Sequence, residues 1–309
     1  MSGLNFVMLI GGPGTFWGCD PHHDKSWSNY IIPMQRAVSK KLFPAAPQAE
    51  TIHWVVYRPA YRNRWHDDSR ISLLDWKEYG VLGTDRQFGF PAPYRRDTNL
   101  HQHRKAAADK VLKKKGPDGK YATSYLDRIQ QICRQLKIRY HPIDAPGEFW
   151  RYLVSLPDNS ISRIWFCGHS SPSGLWLDMH HNLRCKASSS NMITTNDIAS
   201  WKDKIAPKVA SGVDLPSQFY GCRTSGFAKK WSETFFMTTE APVRRINFRA
   251  IHVGSRHKNM LQRLRTTPTL SGAKPGWTTY PGRVQYLEGM SPVLYRALHS
   301  PVRSGGGLV

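Results

Sequence analysis

The sequence predicts an α/β fold, a mostly parallel sheet with helices on both faces, from three observations. Short apolar runs rich in β-branched and aromatic residues recur along the chain, as is typical of buried parallel strands. Segments with apolar residues at helical spacing alternate with these runs, which indicates strand–helix–strand crossovers. Apolar residues make up 40% of the 309 residues, enough for a sizeable core.

The first part of the chain opens this pattern and then departs from it. Residues 6–10 predict a buried strand, residues 27–41 a helix, and residues 51–57 a second strand. From 58 to 119 the pattern weakens into aromatic, basic and turn residues. We interpret this segment as a basic insertion at the rim of the sheet.

The second part returns to alternating elements. Helices are expected at residues 125–136, 149–156, 198–209 and 227–236, and strands at 138–143, 161–167, 216–220 and 249–254. Thr195 or Asn196 is the expected N-cap of the third of these helices. Residues around Trp277 and Tyr280 are expected to pack as a final loop. We assign residues 1–285 to one domain and 286–309 to a C-terminal segment ending in a flexible glycine-rich tail.

Two of the predicted strands end in a glycine followed by a reactive side chain. The first is followed by Gly168 and His169, the second by Gly221 and Cys222. Carboxyl ends of parallel strands share one edge of a sheet, so the imidazole and the thiol are expected to meet there. A thiol is a strong nucleophile only as thiolate, and an imidazole can take its proton. The sequence thus predicts a catalytic dyad of His169 and Cys222.

Two features are expected to assist this dyad. The backbone N–H of Cys222, with that of Gly168 or His169, would form an oxyanion hole. The helix expected at residues 227–236 would place its positive N-terminal end near the sulfur and lower the thiol pKa.

These motifs resemble those of the caspase-like cysteine peptidases, the superfamily that includes caspases, metacaspases, and gingipain- and separase-type enzymes. In caspases a histidine lies about 50 residues before the cysteine of a Q-A-C-[RQG]-G string, and the spacing here is similar. Gly221 replaces the alanine of that string, and the next glycine, Gly226, lies further downstream. The resemblance covers residues 161–236. It implies an endopeptidase in which Cys222 attacks the peptide carbonyl and His169 protonates the leaving amine.

The resemblance also implies a substrate pocket lined from the end of the first strand. Asp20 and Asp24 lie there, and Asp178 follows the histidine loop. Acidic residues in the pocket would favour protein or peptide substrates cleaved after Arg or Lys, as in metacaspases. Their alternative role is loop capping or pairing with surface arginines. A regulated or delivered effector is a further expectation, by analogy alone.

A serine hydrolase is a competing interpretation of the same loop. The residues from Gly168 to Pro172 resemble the G-x-S-x-G elbow of α/β-hydrolases, with Ser170 as nucleophile. Pro172 stands where that elbow needs glycine. Such an enzyme would need an acid such as Asp214 and a base such as His252 or His257.

A non-enzymatic interaction module, with His169 and Cys222 as core residues, is the other alternative. The chain has 44 basic and 22 acidic residues, a formal net charge of +22. Such a charge attracts nucleic acid, phospholipid or an acidic protein. No zinc-finger spacing, RNP-type aromatic string or basic-region heptad is present.

Cysteine usage and hydropathy indicate the compartment. The five cysteines lie far apart with no CxxC pair, so we expect free thiols in a reducing cytoplasm and neither a metal nor another cofactor. Eighteen consecutive apolar residues occur nowhere, so no membrane span is expected. The first residues lack the basic region of a signal peptide, so we expect no cleaved signal. If the protein acts outside the cytoplasm, we expect a dedicated secretion system to export it without one.

Overall fold

The computed structural model describes residues 3–14, 24, 26–70, 98–181, 187–188, 191–248, 260–268 and 272–282. In these residues the chain is α/β, with a mostly parallel seven-stranded sheet flanked by helices, which confirms the expected class at that level. The strand expected at 249–254, Asp20, and the segment 286–309 lie outside the described residues. Among the described helices, none is both long and apolar enough to cross a bilayer.

The elements are numbered in chain order. The strands are β1 (Leu4–Ile10), β2 (Glu50–Tyr57), β3 (Arg139–Ile143), β4 (Ile161–Cys167), β5 (His169–Ser171), β6 (Gly174–Trp176), β7 (His180–His181), β8 (Ala187–Ser188), β9 (Met192–Thr194), β10 (Ser217–Tyr220), β11 (Thr239–Pro242) and β12 (Trp277–Tyr280). The helices are α1 (Ile31–Ser39), α2 (Arg58–Arg70), α3 (Thr98–Leu112), α4 (Tyr125–Gln135), α5 (Pro146–Ser155), α6 (Thr195–Ser200), α7 (Lys202–Ile205), a 3₁₀ turn (Ala206–Lys208), α8 (Ser225–Phe235) and α9 (Met260–Thr266).

The order of strands in the main sheet is β12-β11-β10-β4-β1-β2-β3. All neighbours are parallel except β12, which runs antiparallel to β11. The chain builds outwards from β1 in both directions, with β2 on one side and β4 on the other. In open α/β sheets a crevice forms at such a reversal, outside the carboxyl ends of the two strands that flank it. Here β1 and β4 flank it, so residues that follow them lie at this crevice.

Alternating residues of the central strands face two separate cores. Phe6 and Met8 pack with residues of α1 and α4, while Val7 and Leu9 pack with residues of α5 and α8. All seven residues of β1 are buried as a result. Successive side chains of a strand point to opposite faces, so helices on both faces explain why this strand is buried along its whole length.

In the segment from 58 to 119, the described residues form α2 and α3, helices that the sequence pattern was too weak to predict. The buried face of α2 is charged, not apolar. Arg64 Nε donates to Asp68 at 2.9 Å, Arg104 Nε donates to the same carboxylate, and Tyr125 Oη donates to it at 2.7 Å. Two arginines of this basic segment are therefore buried and paired, and they do not contribute to a basic surface.

Two local expectations were wrong. The N-cap of α6 is Thr194, which forms a capping box with Asp197, and neither Thr195 nor Asn196 is the cap as expected. The segment expected as a final loop is the strand β12, paired with β11. That pairing joins distant parts of the chain, so local periodicity could not indicate it.

Candidate active site

His169 and Cys222 follow the carboxyl ends of two adjacent parallel strands. Cys167 at the end of β4 pairs with Tyr220 at the end of β10. The contact continues beyond the strands, because the Ser170 hydroxyl donates to the carbonyl oxygen of Cys222 at 2.8 Å. The structure therefore brings the imidazole and the thiol to one edge of the sheet.

Glycines allow these strand ends to approach closely. A Cβ on Gly221 would lie 2.3 Å from Ser170 Oγ and 3.0 Å from the Phe166 ring. A Cβ on Gly168 would lie 2.8 Å from the same ring and 3.2 Å from Gly11 Cα. Side chains at these positions would force β1, β4 and β10 apart. The glycine before each reactive residue is thus required by packing.

A buried carboxylate holds the His169 ring. Nε2 of His169 lies 2.7 Å from Oδ2 of Asp24 and 2.7 Å from Oη of Tyr30. Tyr30 Oη also donates to Oδ1 of Asp24 at 2.8 Å, and Asn29 Nδ2 donates to the same oxygen at 3.1 Å. The backbone N–H of Gly14 donates to Oδ2. Asp24, expected to line a substrate pocket, is instead placed against the histidine, with its carboxylate engaged on both oxygens.

This arrangement determines the tautomer of the ring. An ionised carboxylate only accepts hydrogen bonds, so the hydrogen bond with Asp24 requires a proton on Nε2 of His169. In the neutral ring the lone pair then lies on Nδ1. Burial, and next the charge of Asp24, raise the pKa of Tyr30 well above its usual value, so the phenol stays a hydrogen-bond donor.

Arg64 holds the segments that carry this carboxylate. Its Nη2 donates to the carbonyl oxygen of Asp24 at 2.7 Å and its Nη1 to that of Gly14 at 3.0 Å. The side chain is buried, and Asp68 balances its charge. Sequence analysis missed this residue, because nothing in the composition of α2 distinguishes a buried arginine from an exposed one.

Asp178, the other described pocket candidate, is buried at the same edge of the sheet. Its Oδ2 accepts a hydrogen bond from Asn191 Nδ2 at 2.7 Å. The preceding residue, Leu177, accepts from the N–H of Gly12 at 2.7 Å, so this loop runs beside the end of β1.

Cys222 is half-buried, and its Sγ lies 3.9 Å from the carbonyl oxygen of Ile246. Burial raises the pKa of the thiol, although that hydrogen bond and the charges of Arg245 and Arg223 oppose the rise. The expected lowering was wrong: α8 begins at Ser225, even nearer to the sulfur than expected, but the loss of hydration on burial outweighs the positive groups. The resting sulfur is therefore a thiol near neutral pH.

Exposed arginines lie beside this thiol: the charges of Arg223 and Arg245 act on it, and Arg244 directly precedes Arg245. Arg223 has a left-handed φ of 60°, and its N–H donates to the carbonyl oxygen of Arg244 at 3.0 Å. Arg245 follows directly, and none of the three forms an ion pair with an acidic residue in the described part of the chain. The potential outside the sulfur is consequently positive. Sequence analysis overlooked them, since two come from a segment distant in the chain.

The residues of the serine alternative are less well arranged. The Ser170 hydroxyl donates to a backbone carbonyl and not to an imidazole. Asp214 is exposed and accepts from Thr238 Oγ1 at 2.6 Å. His252 and His257 lie outside the described residues.

The described residues contain no group of three or more His, Cys, Asp or Glu side chains that could hold a metal ion. Comparison with protein-family models matches no family, and comparisons with curated proteins and with solved structures find no significant match. Function therefore has to be inferred from the side chains at this edge of the sheet.

Proposed function

We propose that the protein is a caspase-like cysteine peptidase, with Cys222 as nucleophile and His169 as general acid and base. The observation that carries the proposal is the position of the two residues after adjacent parallel strands, β4 and β10. The 2.7 Å contact of His169 with Asp24 adds support, because a nucleophile, a base and a group orienting the base form the usual catalytic constellation. Asp24 is here a positioning residue.

The reaction follows from these roles. His169 takes the proton of the Cys222 thiol, and the sulfur forms a bond to the carbonyl carbon of the peptide. The tetrahedral intermediate collapses, the C–N bond breaks, and the proton on His169 passes to the leaving amine. Water, deprotonated by His169, then attacks the thioester and releases the acid and the thiol. Because burial raises the pKa of Cys222, base assistance is needed near neutral pH.

Backbone donors would stabilise the oxyanion of that intermediate. The N–H of Cys222 donates to no group in the described part of the chain, so it is available to the substrate oxygen. The N–H of Gly168 donates to the carbonyl oxygen of Tyr220 at 3.1 Å. We therefore propose the N–H of Cys222 as the main donor to the oxyanion. The N–H of Gly168 would first have to give up its hydrogen bond to the carbonyl oxygen of Tyr220.

The proposed reaction implies that the substrates are proteins or peptides. Cleavage after Arg or Lys stays a prediction. The carboxylate of Asp24 already binds four groups, which leaves Asp178 as the acidic candidate among the described residues. The effector role and the cytoplasmic location also stay predictions.

The test compares single variants on a peptide library derived from a proteome. Cys222→Ala and His169→Ala should abolish cleavage, whereas Ser170→Ala and Cys133→Ala, a change at a buried thiol, should retain it. Loss with Ser170→Ala and retention with Cys222→Ala would identify a serine hydrolase instead. Absence of cleavage by the unmodified protein would favour an interaction module.

A further inference from the structure

A lysine-rich hairpin projects between α3 and α4. It comprises residues 113–122, which we call the lysine hairpin, and carries four exposed lysines: Lys113, Lys114, Lys115 and Lys120. None of them forms an ion pair with a described acidic residue. The acidic residue of the hairpin, Asp118, lies 3.7 Å from Arg134 and is thereby balanced. The hairpin therefore presents an uncompensated positive charge.

The backbone of the hairpin is ordered. Lys115 and Tyr121 form an antiparallel bridge, and Ala122 N–H donates to the carbonyl oxygen of Lys114 at 2.9 Å. The buried Gln131 of α4 donates to the carbonyl oxygen of Lys120 at 3.0 Å and anchors the loop. Binding to this surface would thus cost little backbone entropy.

Exposed apolar side chains accompany the lysines. Among the described residues four large apolar side chains are exposed, and two of these, Leu112 at 42% and Tyr121 at 55%, adjoin or belong to the hairpin. The ammonium of Lys115 lies 5.0 Å from the centre of the Tyr121 ring. An aliphatic and an aromatic group among lysines is the composition of a segment that binds at a bilayer interface.

We propose that the lysine hairpin docks on an anionic phospholipid surface, with the lysines at headgroups and with Leu112 and Tyr121 at the acyl boundary. A nucleic acid would attract the same lysines, and an unpaired base could stack on Tyr121, but a duplex, whose bases are already stacked, would gain little from Tyr121 and nothing from Leu112. Each lysine near an anionic bilayer contributes about a fivefold factor to binding.

The hairpin lies along α4, with its tip beside Gln131 and Arg134, and its last residues lead back towards the candidate site. It leads into Tyr125, whose hydroxyl donates to Asp68, and Asp68 accepts from Arg64, which holds Gly14 at the end of β1. The docking itself does not depend on the proposed peptidase activity.

The test is co-sedimentation of the full chain with vesicles of phosphatidylcholine, with and without phosphatidylserine. The protein should bind the anionic vesicles, and Lys113→Gln/Lys114→Gln/Lys115→Gln should weaken binding about a hundredfold. A control with the same loss of charge, Lys202→Gln/Lys204→Gln/Lys230→Gln, changes exposed lysines elsewhere and should retain most of the binding.

A second variant separates lipid from nucleic acid. Leu112→Gln/Tyr121→Gln should weaken vesicle binding more than tenfold and leave binding to a DNA duplex within about threefold. Equal losses of vesicle binding in the two lysine variants would show that net charge alone attracts the protein to the vesicles. Unchanged vesicle binding of Leu112→Gln/Tyr121→Gln would show that these two side chains do not contribute to binding. Either result, or no preference for anionic vesicles, would overturn the proposal.

Discussion

The carboxylate of Asp24 lies 2.7 Å from Nε2 of His169, although 145 residues separate the two in the chain. Both side chains are buried, so the contact is shielded from solvent. It holds the ring in one orientation and one tautomer, which a proton-transferring histidine requires. The contact therefore connects the loop after β1 to the chemistry proposed for β4 and β10.

Asp24→Asn should lower kcat/KM for peptide cleavage by about a hundredfold, because the amide can present its N–H to Nε2 and favour the other tautomer. Asp214→Asn, at an exposed carboxylate, should change it less than twofold. The measurement is kcat/KM on one cleaved peptide, with circular dichroism to show that both variants are folded. Full activity of Asp24→Asn would remove Asp24 from the mechanism.

The Cys222 thiol should react with iodoacetamide more slowly at neutral pH than a free cysteine, because burial raises its pKa. The rate should keep rising as pH increases beyond about 10, where a free thiol has reached its plateau. Mass spectrometry of the labelled peptide gives the rate at each pH. If the rate reached its plateau at a lower pH than the rate of free cysteine does, the positive groups would outweigh burial in their effect on the pKa of Cys222.

Replacing Arg223, Arg244 and Arg245 by Gln should lower the preference of Cys222 for an anionic reagent. The ratio of iodoacetate to iodoacetamide rates, normalised to free cysteine, should fall by about three- to tenfold at low salt. The ratio cancels any change in thiol pKa, since both reagents need the thiolate. Arg62→Gln/Arg128→Gln/Arg134→Gln, with the same change in net charge elsewhere, should leave the ratio unchanged.

Gly221→Ala should destabilise the protein by about 1–3 kcal/mol, because the new methyl group would overlap Ser170 and the Phe166 ring. Gly147→Ala is the matched control: its Cβ would meet only Arg151 at 3.5 Å, inside a helix that favours alanine. Urea denaturation gives both free energies of unfolding. Equal stability of the two variants would show that the strand ends can separate without cost.

Asp67→Asn should change the pH dependence of stability. Burial raises the pKa of Asp67 to about 6, its Oδ2 has no hydrogen-bond partner among the described residues, and Arg104 Nη2 is 4.0 Å away. The folded state holds this proton more tightly than the unfolded state, so stability is lost as pH rises through about 6. Relative to the unmodified protein, Asp67→Asn should gain about 2 kcal/mol between about pH 4.5 and pH 7.

Urea denaturation at the two pH values measures that difference. Asp118→Asn, at an exposed carboxylate, provides the control and should show no comparable gain. A difference independent of pH would mean that Arg104 keeps Asp67 ionised throughout this range, with its pKa near the ordinary one.

Local patterns predicted those elements whose core-facing residues are apolar. Residues 161–167 form β4 as expected, because the consecutive apolar residues 164–167 can all be buried in a strand covered on both faces. Helix α2 was not predicted, because its buried face holds Arg64 and Asp68, whose charges cancel only when distant partners pack against them. Strand β12 depends in the same way on its pairing with β11.

By itself, the sequence determined the α/β class and the two glycine-flanked strand ends that carry His169 and Cys222, since these depend on residues adjacent in the chain. Tertiary structure decided that Asp24 binds the imidazole, that Arg64 holds Asp24, and that burial raises the thiol pKa. The reason is physical: a hydrogen-bond partner depends on the path of loops between elements, and hydration depends on every atom packed around a group.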